Sequence, residues 1–546
     1  MKILLAQRNP KVGDIEGNLK KLVVDLKNAS SNNVDLIIYP ELFLTGYPPL
    51  DLLNFKHFIE DVDDAIEEIC LHSKEFPELG ILVGAPIAVN GKLYNSAVFI
   101  SDGKILFMQH KTNLPNYDVF DEKRFFCKAD SIDILKFKNE ILGITICEDA
   151  WIDEEYNAKQ SKGYSSNPLQ LLKNKGATLL INMSASPFEE YKHINRLKLF
   201  KKHANSLKLP ILYINQVGAN DQLIFDGNSF CVNQYGELTK QLIGFEEELG
   251  IYNLNIKGKP IATPPYNHIE QVYKALCLGV ADYVKKTGFK QLVLGLSGGI
   301  DSAVTCAIAA AACGSKNVLG ILMPSEFSSA GSVTDAKELA VNLKINYDII
   351  KINTAFKTLN DTLHPLFKDT EFDLTEENMQ SRIRGLILMA ISNKQNRLVL
   401  ATGNKSEMAM GYCTLYGDMN GAISVLADVP KTTVYKLAEY INKDKEVIPI
   451  ETITKPPSAE LKPNQKDQDT LPEYDVLDNI INLYINQNKS VKEISSYGFD
   501  KNLVKDIVHK INLNEYKRQQ AAMPLKISSV SFGFGRRMPI AAKYKL

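Results

Sequence analysis

The chain has 546 residues, with 63 Lys+Arg against 64 Asp+Glu and a formal net charge of −1. At about 100–200 residues per domain this length implies two to four domains, and 45% apolar with 23% charged residues describes ordinary globular protein. The charge balance excludes a chain-wide basic footprint for nucleic acid and an acidic disordered tail. Eight cysteines stand at scattered spacings with no CxxC pair, so neither a zinc site nor a secreted disulfide scaffold is expected. No apolar run reaches the roughly 18 residues of a membrane span, and residues 1–8 turn polar too early for a signal peptide. A reducing cytoplasmic compartment is the expectation.

In the first half, residues 2–7, 35–39, 81–87, 97–100, 105–108, 141–147, 178–183 and 211–217 read as strands. Residues 17–29, 51–74 and 189–206 read as helices by their 3–4 apolar spacing. Many strands with few helices predict packed sheets flanked by helices. The Pro-bearing stretch 257–267 has no apolar period and reads as a linker between domains 1–256 and 268–546. Beyond it, strands at 291–296, 318–323, 347–352 and 397–402 alternate with helices at 268–286, 300–313, 333–343 and 376–393. This pattern predicts a doubly wound parallel α/β sheet, whose ligands sit at the carboxyl ends of strands.

The first strand of that second domain ends in Gly295-Leu296-Ser297-Gly298-Gly299-Ile300-Asp301-Ser302 and runs into a helix of small residues. Paired glycines let the backbone approach a ligand, and the helix start aims free N–H groups at an anion. Asp301 makes sense beside phosphate if Mg²⁺ lies between. The Walker lysine is missing, which argues against γ-phosphoryl transfer. The loop resembles the pyrophosphate loop of the N-type ATP pyrophosphatases, of adenine nucleotide α-hydrolase-like fold. After a later strand come Thr402-Gly403-Asn404-Lys405-Ser406-Glu407 and Gly411–Gly421 (GYCTLYGDMNG). Glu407 can supply a second carboxylate for Mg²⁺, and Thr402 a hydroxyl near the nucleotide. With KPPSAEL at 455–461, LPEYD at 471–475, Tyr516-Lys517-Arg518 and FGRR at 534–537, residues 268–546 resemble the NAD synthetase family. That resemblance implies ATP held by residues 295–302 and Thr402, and deamido-NAD contacted by Asn378, Glu407 and Lys517. Read by themselves, Asn378 suits a helix cap and Lys517 a solvated face. The Pro-rich stretch 454–472 is similar to the family's loop over the phosphates. It departs from the pattern at Gln468, where a further acid is expected, and at Glu473, where Pro is expected.

In the first domain three strand ends carry reactive residues: Glu41, Lys111 and Cys147. A thiol needs a base or a nearby cation to become a nucleophile. Glu can take its proton, and Lys can stabilise an oxyanion. The contexts Pro40-Glu41-Leu42, His110-Lys111-Thr112-Asn113-Leu114-Pro115 and Ile146-Cys147-Glu148-Asp149 resemble the three catalytic segments of the nitrilase superfamily, an αββα sandwich. The resemblance covers about residues 1–250. It implies Glu41 as general base, Lys111 as oxyanion-side cation and Cys147 as nucleophile, with Glu122 orienting Lys111 or the leaving amine. In the glutamine amidase branch attached to NAD synthetases, Tyr117, Ser186 and Lys192 would hold glutamine.

Together the two resemblances imply conversion of deamido-NAD, ATP, L-glutamine and water to NAD, AMP, pyrophosphate and L-glutamate. The implied course is an adenylated nicotinate, with ammonia passed between the two sites. Mg²⁺ is the expected cofactor and a homo-oligomer, dimer or larger, the expected assembly; no nucleic acid or membrane partner is expected. The alternatives left open are a related amidotransferase making GMP or acting on a nicotinate mononucleotide or another carboxylate, a nucleic-acid enzyme of the same ATP-cleaving class, and a non-catalytic nucleotide-binding module.

Overall fold

The computed structural model describes residues 1–543 apart from 153–163, 165, 255–258, 369 and 464. Residues 257 and 258 of the expected linker, residue 464 of the 454–472 stretch and residues 544–546 therefore lie outside the described residues. The chain divides into two compact units, Met1–Tyr266 and Asn267–Leu546.

The first unit is built from two six-stranded sheets. β1 (Lys2–Gln7), β2 (Leu36–Ile38), β3 (Gly80–Val89), β4 (Lys92–Ser101) and β5 (Lys104–His110) lie side by side in that order. A late strand, β14 (Glu248–Asn253), pairs antiparallel with β1 on its outer side. The second sheet holds β6 (Ile134–Phe137), β7 (Glu140–Ile146), β8 (Leu179–Ser184), β9 (Ile211–Asn215), β12 (Phe230–Val232) and β13 (Leu238–Gln241). A separate hairpin joins β10 (Val217–Asn220) to β11 (Leu223–Asp226). The period-2 alternation of side chains decides the layering. Ile3 and Leu5 of β1 pack with Leu82, Phe99, Ile144, Ile146, Ile181 and Met183 between the sheets. Leu4 and Ala6 face the other way, onto Leu22, Leu26, Val62 and Ile66 of the helices Ile15–Ser31 and Lys56–Ser73. Leu180, Tyr213 and Phe230 face outward from the second sheet onto Leu172, Leu197 and Phe200. The result is helix, sheet, sheet, helix.

Several expected elements change: the strand expected over 211–217 is split between β9 and β10, and two helices of the first unit differ. The helix expected over 51–74 is a short turn, Leu50–Asn54, and a separate helix, Lys56–Ser73, because Phe55 between them is extended (φ −87°, ψ 121°). The helix expected from residue 189 begins at Lys192, because Tyr191 takes a left-handed φ of 63°.

The second unit holds one parallel sheet of β15 (Leu292–Gly295), β16 (Val318–Leu322), β17 (Asn346–Ile349), β18 (Leu398–Ala401), β19 (Ile423–Ser424) and β20 (Met523–Pro524). Its spatial order is β17-β16-β15-β18-β19-β20. Chain direction across the sheet reverses between β15 and β18, and the crevice outside their carboxyl ends is where such sheets bind ligands. One face is covered by Phe356, Met379, Ile383 and Leu388, packed on Val293 and Ile321. On the helix Ile300–Cys313, alanines and other small buried residues let its neighbours His268–Lys286 and Lys431–Ile441 come close.

Gly84 in β3 is where the chain after β2 crosses the sheet. A Cβ there would lie 2.4 Å from Leu42 N and 2.5 Å from the Pro40 carbonyl oxygen, both backbone atoms that cannot swing aside. Gly84→Ala is therefore expected to destabilise the first unit by about 2 kcal/mol, the usual cost of an overpacked core site. Urea melts of wild type and variant measure it.

Candidate active sites

The first site gathers at the carboxyl ends of β2, β5 and β7. Lys111 Nζ lies 2.6 Å from Glu41 Oε1 and 2.7 Å from Glu122 Oε1, and all three residues are buried. Glu41 is held by two further donors, Asn95 Nδ2 at 2.7 Å and the Ala185 backbone N–H at 2.9 Å. Tyr47 hydroxyl donates to Glu122 Oε1 at 2.9 Å. Cys147 stands at the tip of β7 with a left-handed φ of 43°, at the start of a tight turn, Cys147–Ala150. Such a conformation is uncommon for a residue with a Cβ and marks a sharply turned strand end. Asp149 ties this turn to the segment after Lys111: its carboxylate accepts from Ile146 N at 3.0 Å, Thr112 N at 3.0 Å and Asn113 N at 2.7 Å. That clasp brings the cysteine and lysine strand ends together.

The electrostatics follow from burial. The Cys147 thiol is pushed well above its ordinary value, first by burial and then by the Glu41 charge, against the pull of Lys111. Burial opposes the charge on Lys111 as well, but Glu122 and Glu41 overcome it and hold the ammonium well above its usual range. Burial pushes Glu122 up to about 7, against Lys111. The Cys147 sulfur is thus a neutral thiol, which needs a base to become a thiolate.

Around this centre Tyr117 hydroxyl donates to Glu148 Oε2 at 3.0 Å, and Tyr164 hydroxyl to Glu148 Oε1 at 2.9 Å. Lys192 Nζ lies 5.8 Å from the Trp151 ring centre and 6.0 Å from that of Phe120, whose ring in turn meets Tyr117 at 5.3 Å. Ser186 is buried, and its backbone N–H donates to Asn215 Oδ1 at 2.9 Å. Glu148 acts on the thiol electrostatically and carries the Tyr117 and Tyr164 phenols with it. Glu148 went unread in the sequence because an acid beside a cysteine has no distinguishing spacing.

The second site is a cavity of about 300 Å³ at the β15/β18 switch point. Residues 295–297, 299–302, Thr402, Glu407, Lys431 and residues 455–461 are among those that line it. Gly298 has φ 83°, and a Cβ on it would lie 2.2 Å from the Ser332 carbonyl oxygen, so only glycine fits this bend. Ser297 Oγ accepts from Gly299 N at 3.1 Å and lies 3.1 Å from Ser302 Oγ. The loop is thereby set before any anion arrives, and the helix Ile300–Cys313 opens onto it with no side-chain cap. Glu460 folds the 455–461 segment onto the neighbouring helix by accepting from Ser329 Oγ at 2.9 Å and Ser332 Oγ at 2.7 Å.

Asp301 and Glu407 converge on one point, and Lys431 Nζ stands there, in an ion pair with Asp301 Oδ2 and 3.4 Å from Glu407 Oε1. Asn404 holds both acids in place: its Nδ2 donates to Asp301 Oδ1 at 2.9 Å, and its Oδ1 accepts from Glu407 N at 3.0 Å. Burial, and then the Asp301 charge, push Glu407 up to about 8 even with Lys431 alongside. Half-buried hard oxygen ligands still short of positive charge fit a divalent metal. Among the described residues no three His, Cys, Asp or Glu gather around one point, and two carboxylates suit a metal that keeps waters and phosphate oxygens as its other ligands.

Lys431 and Asn404 were missed in the sequence. A lysine after Pro430 carries no motif, whereas Asn404 and Glu407 form a capping box whose spacing was readable. Two expected deamido-NAD contacts do not line the cavity. Asn378 Oδ1 accepts from Thr414 Oγ1 at 2.8 Å, and Lys517 Nζ donates to the Gly411 and Cys413 carbonyls at 2.8 Å each, so both brace the 411–414 segment. Nor does Asn378 cap its helix; Asp373 does, in a capping box with Glu376.

Residues 2–258 match the carbon-nitrogen hydrolase family and residues 272–521 the NAD synthase family. A glutamine-dependent NAD(+) synthetase of Synechocystis sp. is 46% identical over 554 residues, covering 99% of each chain. One from Thermotoga maritima is 41% identical over 583 residues, covering 100% of this chain and 99% of that one. The solved structure of glutamine-dependent NAD+ synthetase from Acinetobacter baumannii with adenosine diphosphate superposes with a TM-score of 0.78 at 38% identity, over 99% of this chain and 98% of that one.

Beside the first site, burial pushes His193 down to about 4, against the Asp226 charge and with Arg196 adding to the fall. Between that value and the ordinary 6.5, the unfolded chain binds a proton that the native chain does not. Stability from this residue is therefore complete above the ordinary value and is lost as pH falls through 6.5 toward 4, on the order of 3 kcal/mol in all. His193→Gln is expected to flatten the stability–pH curve of the first unit over that interval, measured by urea unfolding at successive pH values.

Proposed function

Because the chain belongs to the glutamine-dependent NAD(+) synthetases, a family of carbon–nitrogen ligases, we propose a division of labour in which the first unit frees ammonia from glutamine and the second uses ATP to join it to deamido-NAD. The observation that carries the first half is the buried Glu41–Lys111–Glu122 triad in the electrostatic reach of the Cys147 thiol.

Glu41 takes the thiol proton as Cys147 Sγ attacks the glutamine side-chain carbonyl carbon. The oxyanion forms on the side of Lys111, whose ammonium is held charged by its two carboxylates. Glu41 returns the proton to the departing nitrogen, and ammonia leaves a thioester. Water, activated by the same carboxylate, then releases glutamate and restores the thiol. Glu148 faces the substrate's α-ammonium with Tyr117, while Lys192 and Ser186 take its α-carboxylate. Glu122 orients Lys111.

In the second unit the nicotinate carboxylate attacks the α-phosphorus of ATP, and pyrophosphate leaves toward the 295–302 loop. Ammonia then attacks the adenylate, giving NAD and AMP. Thr402 lies beside the nucleotide, and Lys431 and Lys455 add positive charge at the phosphates. Asp301 and Glu407 would hold Mg²⁺, which neutralises phosphate charge when bound. Asn378 and Lys517 support the 411–414 segment that meets deamido-NAD, with Glu407 on the cavity side. Ammonia reaches this site un-ionised, since ammonium has no lone pair with which to attack.

NAD formation from deamido-NAD, ATP and Mg²⁺ tests the reading with glutamine or ammonium as the nitrogen source. Cys147→Ala is expected to lose the glutamine-driven reaction and keep the ammonium-driven one. Glu407→Gln is expected to lower both by roughly 100-fold, as loss of an electrostatic support does. Loss of both reactions in Cys147→Ala would overturn the division of labour. A wild type that amidates nicotinate mononucleotide faster than deamido-NAD would move the assignment to that substrate.

A further inference from the structure

The helix Lys192–Leu207 carries Arg196 one turn beyond Lys192, wholly buried. Its guanidinium forks onto Asp226, Nη2 to Oδ1 at 3.0 Å and Nη1 to Oδ2 at 3.3 Å, and lies 5.2 Å from the Tyr213 ring centre. Asp226 is itself buried, and its Oδ1 also accepts from Asn215 Nδ2 at 3.4 Å while its Oδ2 accepts from Asn228 Nδ2 at 2.9 Å. Asn215 then grips Ser186 from both sides. It accepts from the Ser186 N–H at 2.9 Å and donates to the Ser186 carbonyl at 3.4 Å. A continuous polar chain thus runs from the Lys192 helix to Ser186 through the interior.

A buried ion pair is a poor source of stability, because apolar residues of similar volume often do as well or better. It does fix geometry, since a forked guanidinium–carboxylate contact admits one relative orientation. The ends of this chain are two residues from separate segments, one at the first turn of a helix and one in the loop after β8. Neither is set by its own secondary structure relative to the other.

We propose that Arg196, Asp226 and Asn215 are positioning residues of the glutamine pocket, holding Ser186 and Lys192 at the separation that a glutamine head group spans. This rests on the reading of Ser186 and Lys192 as glutamine-binding residues. The chain does not act on the thiol chemistry itself, so its loss should weaken recognition of the amino acid and leave Cys147 reactive.

The test uses the full-length protein and three variants. Asn215→Ala removes the grip on Ser186 while Asp226 keeps Arg196 and Asn228. The pair Arg196→Met with Asp226→Leu removes both buried charges together, leaving neither unpaired. Lys192→Ala probes the underlying reading. In glutamine-driven NAD synthesis, Asn215→Ala and the double variant are expected to raise the KM for glutamine roughly tenfold or more, as small misplacements of binding groups do. Iodoacetamide should still titrate one Cys147 thiol per chain. An unchanged KM with a reduced titratable fraction or a reduced kcat would mean a structural role only and would overturn the proposal. If the double variant does not fold, Asn215→Ala decides alone. If Lys192→Ala raises the KM and Asn215→Ala does not, the positioning role falls while the pocket stands. If neither raises it, the pocket assignment itself is wrong.

Discussion

Lys111 Nζ is shared by Glu41 and Glu122 at 2.6 and 2.7 Å, with water kept from all three. One buried cation serving two buried carboxylates leaves the cluster short of positive charge, and the surroundings respond to that deficit. Asn95, Ala185 N–H and Tyr47 turn donors toward it. Burial, and then the Glu41 charge, disfavour a thiolate nearby. Under the proposed function, such a thiol depends on Glu41 to take its proton.

The second unit solves a related problem with the signs in a different place. Asp301 lies in the 295–302 loop and Glu407 follows β18, and Lys431 arrives from a third element to stand between them. Here too a single lysine falls short, and Glu407 is pushed up to about 8. The deficit sits at the sheet's switch point, beside a helix start with uncapped N–H groups and a glycine bend that admits no side chain. Under the proposed function, a polyanion and a divalent metal would complete such a site.

Each unit brings side chains together from strand ends far apart in sequence, across two sheets in the first and within one sheet in the second. In the first, Gly84 lets the Glu41 segment cross close to β3, and Asp149 draws the Lys111 and Cys147 ends to one place. In the second, the reversal of strand order between β15 and β18 puts residues 295–302 beside Thr402 and Glu407.

Alternation and strand-end motifs were legible in the sequence because they are local: period-2 apolar runs, the SGGxDS loop before a small-residue helix, and the three strand-end contexts of Glu41, Lys111 and Cys147. Those patterns were enough for a layered sandwich and a parallel sheet. Only the tertiary structure decided which charge faces which. Lys431 between Asp301 and Glu407, Glu148 under Tyr117, and Arg196 on Asp226 are pairings across 24 to 130 residues of chain, with no spacing to announce them. The same holds for Asn378 and Lys517, whose partners are Thr414 and the Gly411 and Cys413 carbonyls. Local sequence governs backbone propensity and hydrophobic facing, whereas a buried charge is stable only beside partners that the finished fold supplies.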